Sequence, residues 1–280
     1  MRPPEAAVPG EASAGDLDQL LAAIYERYGF DFRNYARPCV QRRVEKYRRE
    51  TGATSLAQLT EALLADESAM QDLLDMLSIS VTSMFRDPEF FLLVRNEVLP
   101  ILRTYPSIRV WVAGCASGEE AYSLAILLEE EGVYERCRIY ATDVNEVLLS
   151  RAKAGTFSLQ RMQGYTENYQ RTGPRAAFSD YYHASEHYAA LDSRLGRHIV
   201  FAHHDLVHDG PFNEFHLILC RNVLIYFDQQ LQARVVARFL ASLRMFGVLG
   251  LGSQESLQFG PHASRFVPIH EQARLYRRVH

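Results

Sequence analysis

The stretch Arg109-Val-Trp-Val-Ala113, Gly114-Cys-Ala-Ser-Gly-Glu-Glu120, Ala121-Tyr-Ser-Leu-Ala-Ile-Leu-Leu-Glu-Glu130 decides the fold. It reads as a short apolar strand, a glycine-containing turn and a helix beginning at 121. The same alternation recurs downstream. Arg138-Ile-Tyr-Ala-Thr142 predicts a second strand, stopped by Asp143, and a helix follows over 146–154. Residues 198–201 and 215–219 predict strands, 229–243 a helix, and 247–252 and 275–279 further strands. Strand alternating with helix predicts an α/β protein with a parallel, doubly wound sheet.

In such sheets ligands bind beyond the carboxyl ends of the strands. Gly114 lets a ligand approach the backbone closely. Asp143 ends the second strand roughly twenty residues further on, where a carboxylate can accept from both hydroxyls of a ribose. The turn is not GxGxxG, and it lacks the Gly-Lys-Ser/Thr of a phosphate-binding loop. Its order, Gly114-x-x-Ser117-Gly118, is not the GxSxG of a hydrolase elbow either. A ribose site without a phosphate cradle points to S-adenosylmethionine. Glu119 and Glu120 suit its cationic sulfonium, or they simply favour the helix N-terminus through its dipole.

The whole chain has 280 residues, 48% hydrophobic and 23% charged, which excludes a disordered chain, a collagen and a disulfide-stapled mini-protein. A formal net charge of −4 gives no bulk attraction to nucleic acid or to an anionic membrane. Cys39, Cys115, Cys137 and Cys220 are far apart with no CxxC pair, which predicts a reducing, cytoplasmic setting. Residues 1–15 are rich in Ala, Pro and Glu, lack the apolar run of a signal peptide and read as a mobile tail. No stretch is apolar and long enough to span a bilayer.

Residues 16–85 carry helical spacing instead. Leu17, Leu20, Leu21, Ile24 and Tyr28 line one face, and Gly29 stands where a C-terminal cap belongs. A second helix starts at Pro38 with a Val40, Val44, Tyr47 stripe. A third opens with a Ser55-x-x-Gln58 capping box and buries Leu56, Leu59 and Leu63. A fourth carries Met70, Leu73, Leu74 and Leu77. On the second helix Arg42, Lys46 and Arg49 fall opposite the stripe, with Arg37, Arg43 and Arg48 beside them. Such a face is often only solvated. In an acidic chain it also suits an acidic partner, a protein helix or a phosphate backbone.

Four segments together resemble a known family. They are Ser80-Val-Thr-Ser-Met-Phe-Arg-Asp87, Ala113-Gly-Cys-Ala-Ser-Gly-Glu-Glu-Ala-Tyr-Ser123, Ala141-Thr-Asp143 and Cys220-Arg-Asn-Val-Leu-Ile-Tyr-Phe227. Their spacing resembles that of the CheR-type chemotaxis receptor methyltransferases over residues 16–280. The resemblance implies transfer of a methyl group from S-adenosylmethionine to glutamate carboxylates on receptor helices. It implies a helical substrate-recognition domain over 16–85, a linker helix over 86–107 and a class I methyltransferase domain over 108–280. An antiparallel β insert would occupy 156–197.

Carried over residue by residue, Ser80, Thr82, Arg86 and Gly114 would contact the cofactor, with Glu120 and Asp143 as its carboxylate contacts. Asp205 and Leu206, then Cys220, Arg221 and Asn222, would contact it later in the chain. Arg86 and Tyr226 would lie near the methyl group and serve as the catalytic pair. Independently of the resemblance, the charge of the second helix makes Arg42, Arg43, Lys46 and Arg49 the expected substrate-binding residues. Ser80 and Asp205 stand where the family usually has asparagine, so local hydrogen bonding departs from the pattern there.

A glutamate carboxylate is ionised at neutral pH, so its methylation needs positioning and desolvation rather than a general base. Arg86 can hold a carboxylate through paired N–H donors, and Tyr226 can add a hydrogen bond. After the 215–219 strand, an amine methyltransferase often carries Asn/Asp-Pro-Pro-aromatic; Arg221-Asn-Val-Leu224 stands there instead. The insert, with Tyr165, Tyr169, Tyr181, Tyr182 and Tyr188, suits either peptide binding or packing of its own sheet. His183 and His187, and His203-His204-Asp205, have metal-ligand residue types, but Glu186 directly precedes His187, so there is no HExxH, and no metal is expected. The expected partner is the acidic helical region of a chemoreceptor or related signalling protein, with no nucleic acid, no membrane insertion and a monomeric state. The alternatives are methylation of a non-receptor signalling protein and a non-catalytic S-adenosylmethionine-binding scaffold.

Overall fold

A computed structural model describes residues 14–77, 82–258 and 260–280. Ser80 and nearly all of the expected tail lie outside these residues, whereas residues 14 and 15 belong to the first helix. Two compact units divide the chain: one takes residues up to 79 together with Tyr226–Asp228, the other residues 80–225 and 229–280.

In the first unit the described residues form α1 (Ala14–Tyr28), α2 (Arg37–Glu50), α3 (Leu56–Ala65) and α4 (Glu67–Leu77). The stripes read from spacing are its core, with Leu20, Ile24, Leu63 and Leu73 fully buried. Each such side chain contributes about 1.5–3 kcal/mol, which short isolated helices need because they are marginal in water. Gly29 ends α1 at a φ of 79°, its N–H returning to the Tyr25 carbonyl at 2.9 Å. Ser55 accepts from the Gln58 N–H at 3.1 Å. The return arm of the expected box shifts by one residue, because Gln58 Oε1 accepts from the Thr54 N–H at 2.7 Å.

Arg43 corrects an expectation. It lies three residues after Val40, on the buried stripe, and is only 8% exposed. Its guanidinium donates to the Leu77 carbonyl at 2.6 Å and sits 4.8 Å from the Tyr226 ring centroid. It therefore closes the end of α4 and is no surface contact for a substrate. The Tyr226–Asp228 segment is held by hydrogen bonds from Ala36 N–H to the Tyr226 carbonyl, 2.7 Å, and from Asp228 N–H to the Asn34 carbonyl, 3.0 Å.

The second unit opens with α5 (Pro88–Leu93), a π-helical turn (Val94–Val98) and α6 (Leu99–Leu102). Then come β1 (Ile108–Ala113), α7 (Glu119–Glu130), β2 (Cys137–Asp143) and α8 (Glu146–Ala154). The insert contributes β3 (Thr156–Ser158), α9 (Leu159–Gln170), β4 (Tyr182–Ala184) and β5 (Tyr188–Leu191). The chain continues as α10 (Ser193–Gly196), β6 (Ile199–His203), β7 (Phe215–Cys220), α11 (Gln229–Ser242), β8 (Leu243–Leu251), β9 (Phe266–His270) and β10 (Leu275–Arg278).

The main sheet has the order β6-β2-β1-β7-β8-β10-β9. Its first five strands are parallel, in register from Ile108 against Cys137 to Ala113 against Thr142 between β1 and β2. The expectation of a parallel sheet is corrected at the other end, where β10 and β9 run antiparallel. β9 has no counterpart among the expected strands; it carries Pro268, which an edge strand tolerates. The insert is a separate antiparallel sheet, β3-β5-β4. Tyr165, Tyr169 and Tyr181 are buried in the core of the second unit, while Tyr188 is exposed. Among the described residues no helix is long and apolar enough to cross a membrane.

Candidate active site

Parallel register brings the ends of β1, β2 and β7 side by side, and the turn after β1 is built against both neighbours. Gly114 and Cys115 donate to the Thr142 carbonyl at 2.8 and 2.9 Å. Ala116 N–H donates to Asp143 Oδ2 at 2.8 Å, and Asn145 N–H to Oδ1 at 3.0 Å. Asp143 therefore holds the turn as well as ending β2. Burial raises its carboxyl pKa, against the pull of these N–H donors. Gly114 has a φ of 75°, and a Cβ there would lie 2.5 Å from Val223 Cγ2. The glycine is required because the loop after β7 closes over it.

That loop begins with Cys220, buried at the end of β7, whose thiol is pushed up by burial. Arg221 follows, also buried. Its Nη1 donates to Glu120 Oε2 at 2.7 Å, and its Nη2 to Asp87 Oδ2 at 2.7 Å and to the Arg86 carbonyl at 3.0 Å. The guanidinium lies 4.1 Å from the Phe90 ring centroid. Burial raises the Glu120 carboxyl pKa, while the charges of Arg221 and Arg86 oppose the rise. Arg86 is thus electrostatically coupled to Glu120. It is half-buried and flanked by two residues in left-handed conformation, Phe85 at φ 51° and Asp87 at φ 55°. Strained non-glycine backbone of this kind concentrates at functional sites. The Phe85 N–H is fixed by Ser123 Oγ at 2.8 Å, and half-buried Thr82 lies just before it in the chain.

Glu255 is absent from the sequence reading and organises the β7 loop. Its buried carboxylate accepts from the N–H groups of Asn222, Val223 and Gly252 at 3.0, 2.9 and 2.6 Å, and of Ile225 at 3.3 Å. These bonds hold Asn222 at a φ of 61°. One signal was available: Glu255 is the one Asp, Glu, Lys or Arg between Arg244 and Arg265. Asp87 and Ser123 stand in the family-like segments, and their roles as partners of Arg221 and of the Phe85 N–H emerge only from the fold.

Asp205 and Leu206 follow β6. The Asp205 carboxylate serves its own turn, accepting from the Val207 N–H at 2.6 Å and facing His208 Nδ1 at 2.7 Å. Leu206 is buried. Glu119 does not face a ligand: it is fully buried and bonded to Ser117, Arg161 and Tyr165. Tyr226 and the arginines of α2 belong to the other unit. There Arg42, Lys46 and Arg49 are exposed. Lys46 faces Glu50 at 3.6 Å and Arg49 faces Glu45 at 3.9 Å; Arg42 forms no ion pair among the described residues. Among those residues no group of three or more His, Cys, Asp or Glu side chains is placed to hold a metal ion.

Carboxylates at the ends of β2 and of the first helical residues, a backbone cradle at Gly114 and a buried guanidinium fit a zwitterionic nucleoside. The buried Nε of Arg221 finds no acceptor among the described residues, and a carboxylate of such a ligand would supply one. The fold and these groups define an S-adenosylmethionine-dependent methyltransferase. Residues 80–273 match the CheR methyltransferase SAM binding domain, and residues 15–78 the CheR methyltransferase all-alpha domain. The chain belongs to the CheR methyltransferase family. It is 48% identical over 263 residues to a Pseudomonas putida protein named "Putative methyltransferase Cher3", covering 94% of this chain and 96% of that one. It is 31% identical to a chemotaxis protein methyltransferase of Listeria monocytogenes, covering 82% of this chain and 85% of the relative. With the chemotaxis protein methyltransferase of Escherichia coli it shares 27% identity, over 85% and 83% of the two chains.

The Gly114 contact gives a direct test. Gly114→Ala is expected to lower the melting temperature and weaken S-adenosylhomocysteine binding about tenfold or more, through the clash and a left-handed strain of roughly 1–2 kcal/mol. Adding Val223→Ala removes the clash but not the strain, so the double variant recovers part of both losses. Thermal melting and calorimetry measure this; no recovery in the double variant contradicts the close approach.

Proposed function

We propose that the protein transfers the methyl group of S-adenosylmethionine to glutamate side chains of a chemoreceptor or related signalling protein in the cytoplasm, giving methyl esters. The observation that carries this reading is the loop after β7. An amine nucleophile needs acceptors for its departing proton. Between Arg221 and Ile225 the loop carries a buried cation, one amide side chain, Asn222, and N–H groups committed to Glu255, with no carboxylate or imidazole of its own to take that proton.

Bound S-adenosylmethionine supplies an electrophilic methyl group on a sulfonium. Asp143 would hold the ribose, Glu120 and Arg221 the amino-acid end, and Gly114 the close backbone approach. Thr82, Leu206, Cys220 and Asn222 would complete the pocket, and Asp205 would act through the turn that carries Leu206. Arg86 would bind the acceptor carboxylate through paired N–H donors and strip its water, and Tyr226 would donate a further hydrogen bond. No residue need remove a proton, because the acceptor is already an anion. The names of the relatives from Listeria monocytogenes and Escherichia coli support a role in chemotaxis.

Three measurements test this reading. With labelled S-adenosylmethionine and a lysate as the source of acceptor, label should enter protein and leave as methanol in mild alkali; label stable to alkali contradicts a carboxyl ester. Arg86→Ala should lower transfer by about 100-fold or more, as loss of a group stabilising the transition state does, with the melting temperature little changed. Near-normal turnover contradicts its role. The exposed face of α2 should bind the acidic partner, chiefly through Arg42. Arg42→Glu should raise the acceptor KM by roughly three- to tenfold at low salt and much less at 0.5 M salt, where screening removes surface attraction. An unchanged KM at low salt makes the face solvated surface only.

A further inference from the structure

The insert is joined to both walls of the methyl-donor site by one helix face. Arg161, Tyr165 and Asn168 follow i, i+4, i+7 along α9 and so share a side. The first two reach the turn wall. Glu119, the first residue of α7, is 0% exposed, and such a charge needs partners. Its Oε1 accepts from Arg161 Nη1 and from the Tyr165 hydroxyl, each at 3.2 Å, and its Oε2 from Ser117 Oγ at 2.7 Å. Tyr165 remains a donor: burial and then the Glu119 charge push its phenol up to about 12. The third residue reaches the other wall. Asn168 Nδ2 donates to Ser83 Oγ and to the Met84 carbonyl, both at 3.1 Å. Those residues lie between Thr82 and Arg86. A cross-tie joins the walls directly, as Ser123 donates to the Glu119 carbonyl at 2.6 Å and accepts from the Phe85 N–H at 2.8 Å.

We propose that α9 is a brace for the methyl-donor site, with Arg161, Tyr165 and Asn168 as positioning residues that hold the 114–120 turn and the 82–86 segment at a fixed separation. None of the three needs to touch the cofactor. They act through Glu119, whose neighbour Glu120 binds Arg221, and through the segment bearing Arg86. A site held by such a shell loses affinity when the shell is loosened, even with every contact residue present. The inference rests on the placement of the donor between these walls, and it holds whatever the methyl acceptor is.

Calorimetric titration of the full chain with S-adenosylhomocysteine tests it without an acceptor. Arg161 is half-exposed, with 49% of its side chain accessible, so its replacement should not prevent folding. Arg161→Met with Tyr165→Phe, and separately Asn168→Ala, should each weaken binding about three- to tenfold, as loss of one or two hydrogen bonds does. Arg161→Lys, which keeps a donor, should recover part of the loss. Gln163→Ala removes an exposed bond to Glu167 on the same helix and should leave affinity unchanged. Affinities within twofold of the parent in both brace variants overturn the proposal, as does an equal loss in Gln163→Ala. Asp143→Ala separates the two claims. If it too keeps parent affinity, the placement of the donor is wrong; if it alone loses affinity, only the brace is wrong.

Discussion

The second unit depends on one helix pinned at both ends by buried carboxylates. At the start of α7, Glu119 joins Ser117, Arg161 and Tyr165. At its end, Glu130 and Glu131 meet Arg95 from the π-helical turn, and Glu131 also meets Arg103 and Arg175. Burial raises the Glu131 carboxyl pKa, but Arg175 and Arg95 outweigh it and leave it below the ordinary value. Each partner offsets part of the cost of keeping these carboxylates out of water, and breaking a group as a whole is strongly destabilising. The helix therefore cannot slide or turn without breaking ion pairs at both ends. Glu120 is placed by that constraint, and Arg221 by Glu120.

The parts legible in sequence were those with a repeating or local physical signature. Strand, glycine turn and helix around Gly114 are local, and parallel pairing then dictates that Asp143 lies beside the turn. The stripe of α1 is periodic. The unforeseen parts depend on long-range partners. Spacing puts position 43 on the Val40, Val44, Tyr47 side, but an arginine there reads as surface, because what makes it tolerable when buried is the Leu77 carbonyl, 34 residues away. β9 carries Pro268, acceptable in a strand only at an edge, and edge position is a property of the folded sheet. Glu255 gave no motif, because its four donors come from two loops that only the fold brings together.

Charge has the same character. The formal −4 of the chain is an average over opposite local arrangements. The α2 surface offers Arg42, Lys46 and Arg49, two of them faced by glutamates four residues away, so the face is less positive than the arginine count suggests. In the second unit Arg221 is buried between Glu120 and Asp87. Low-dielectric surroundings strengthen every interaction there and penalise any unpaired charge. A sulfonium, an amino acid zwitterion and an entering carboxylate are suited to such a site, because each brings charge that the fixed groups can meet.

The central claim is that the donor binds at the carboxyl edge of β1, β2 and β7. Hydrogen–deuterium exchange with and without S-adenosylhomocysteine tests it most directly. The account predicts slowed exchange in segments 82–86, 114–120, 143–145 and 220–223. A cavity of about 470 Å³ lies between α11 and the loop after β8, lined in part by Gln232, Val236, Leu257 and His262. Protection confined to 229–236 and 256–263, with the turn after β1 unchanged, would contradict the account.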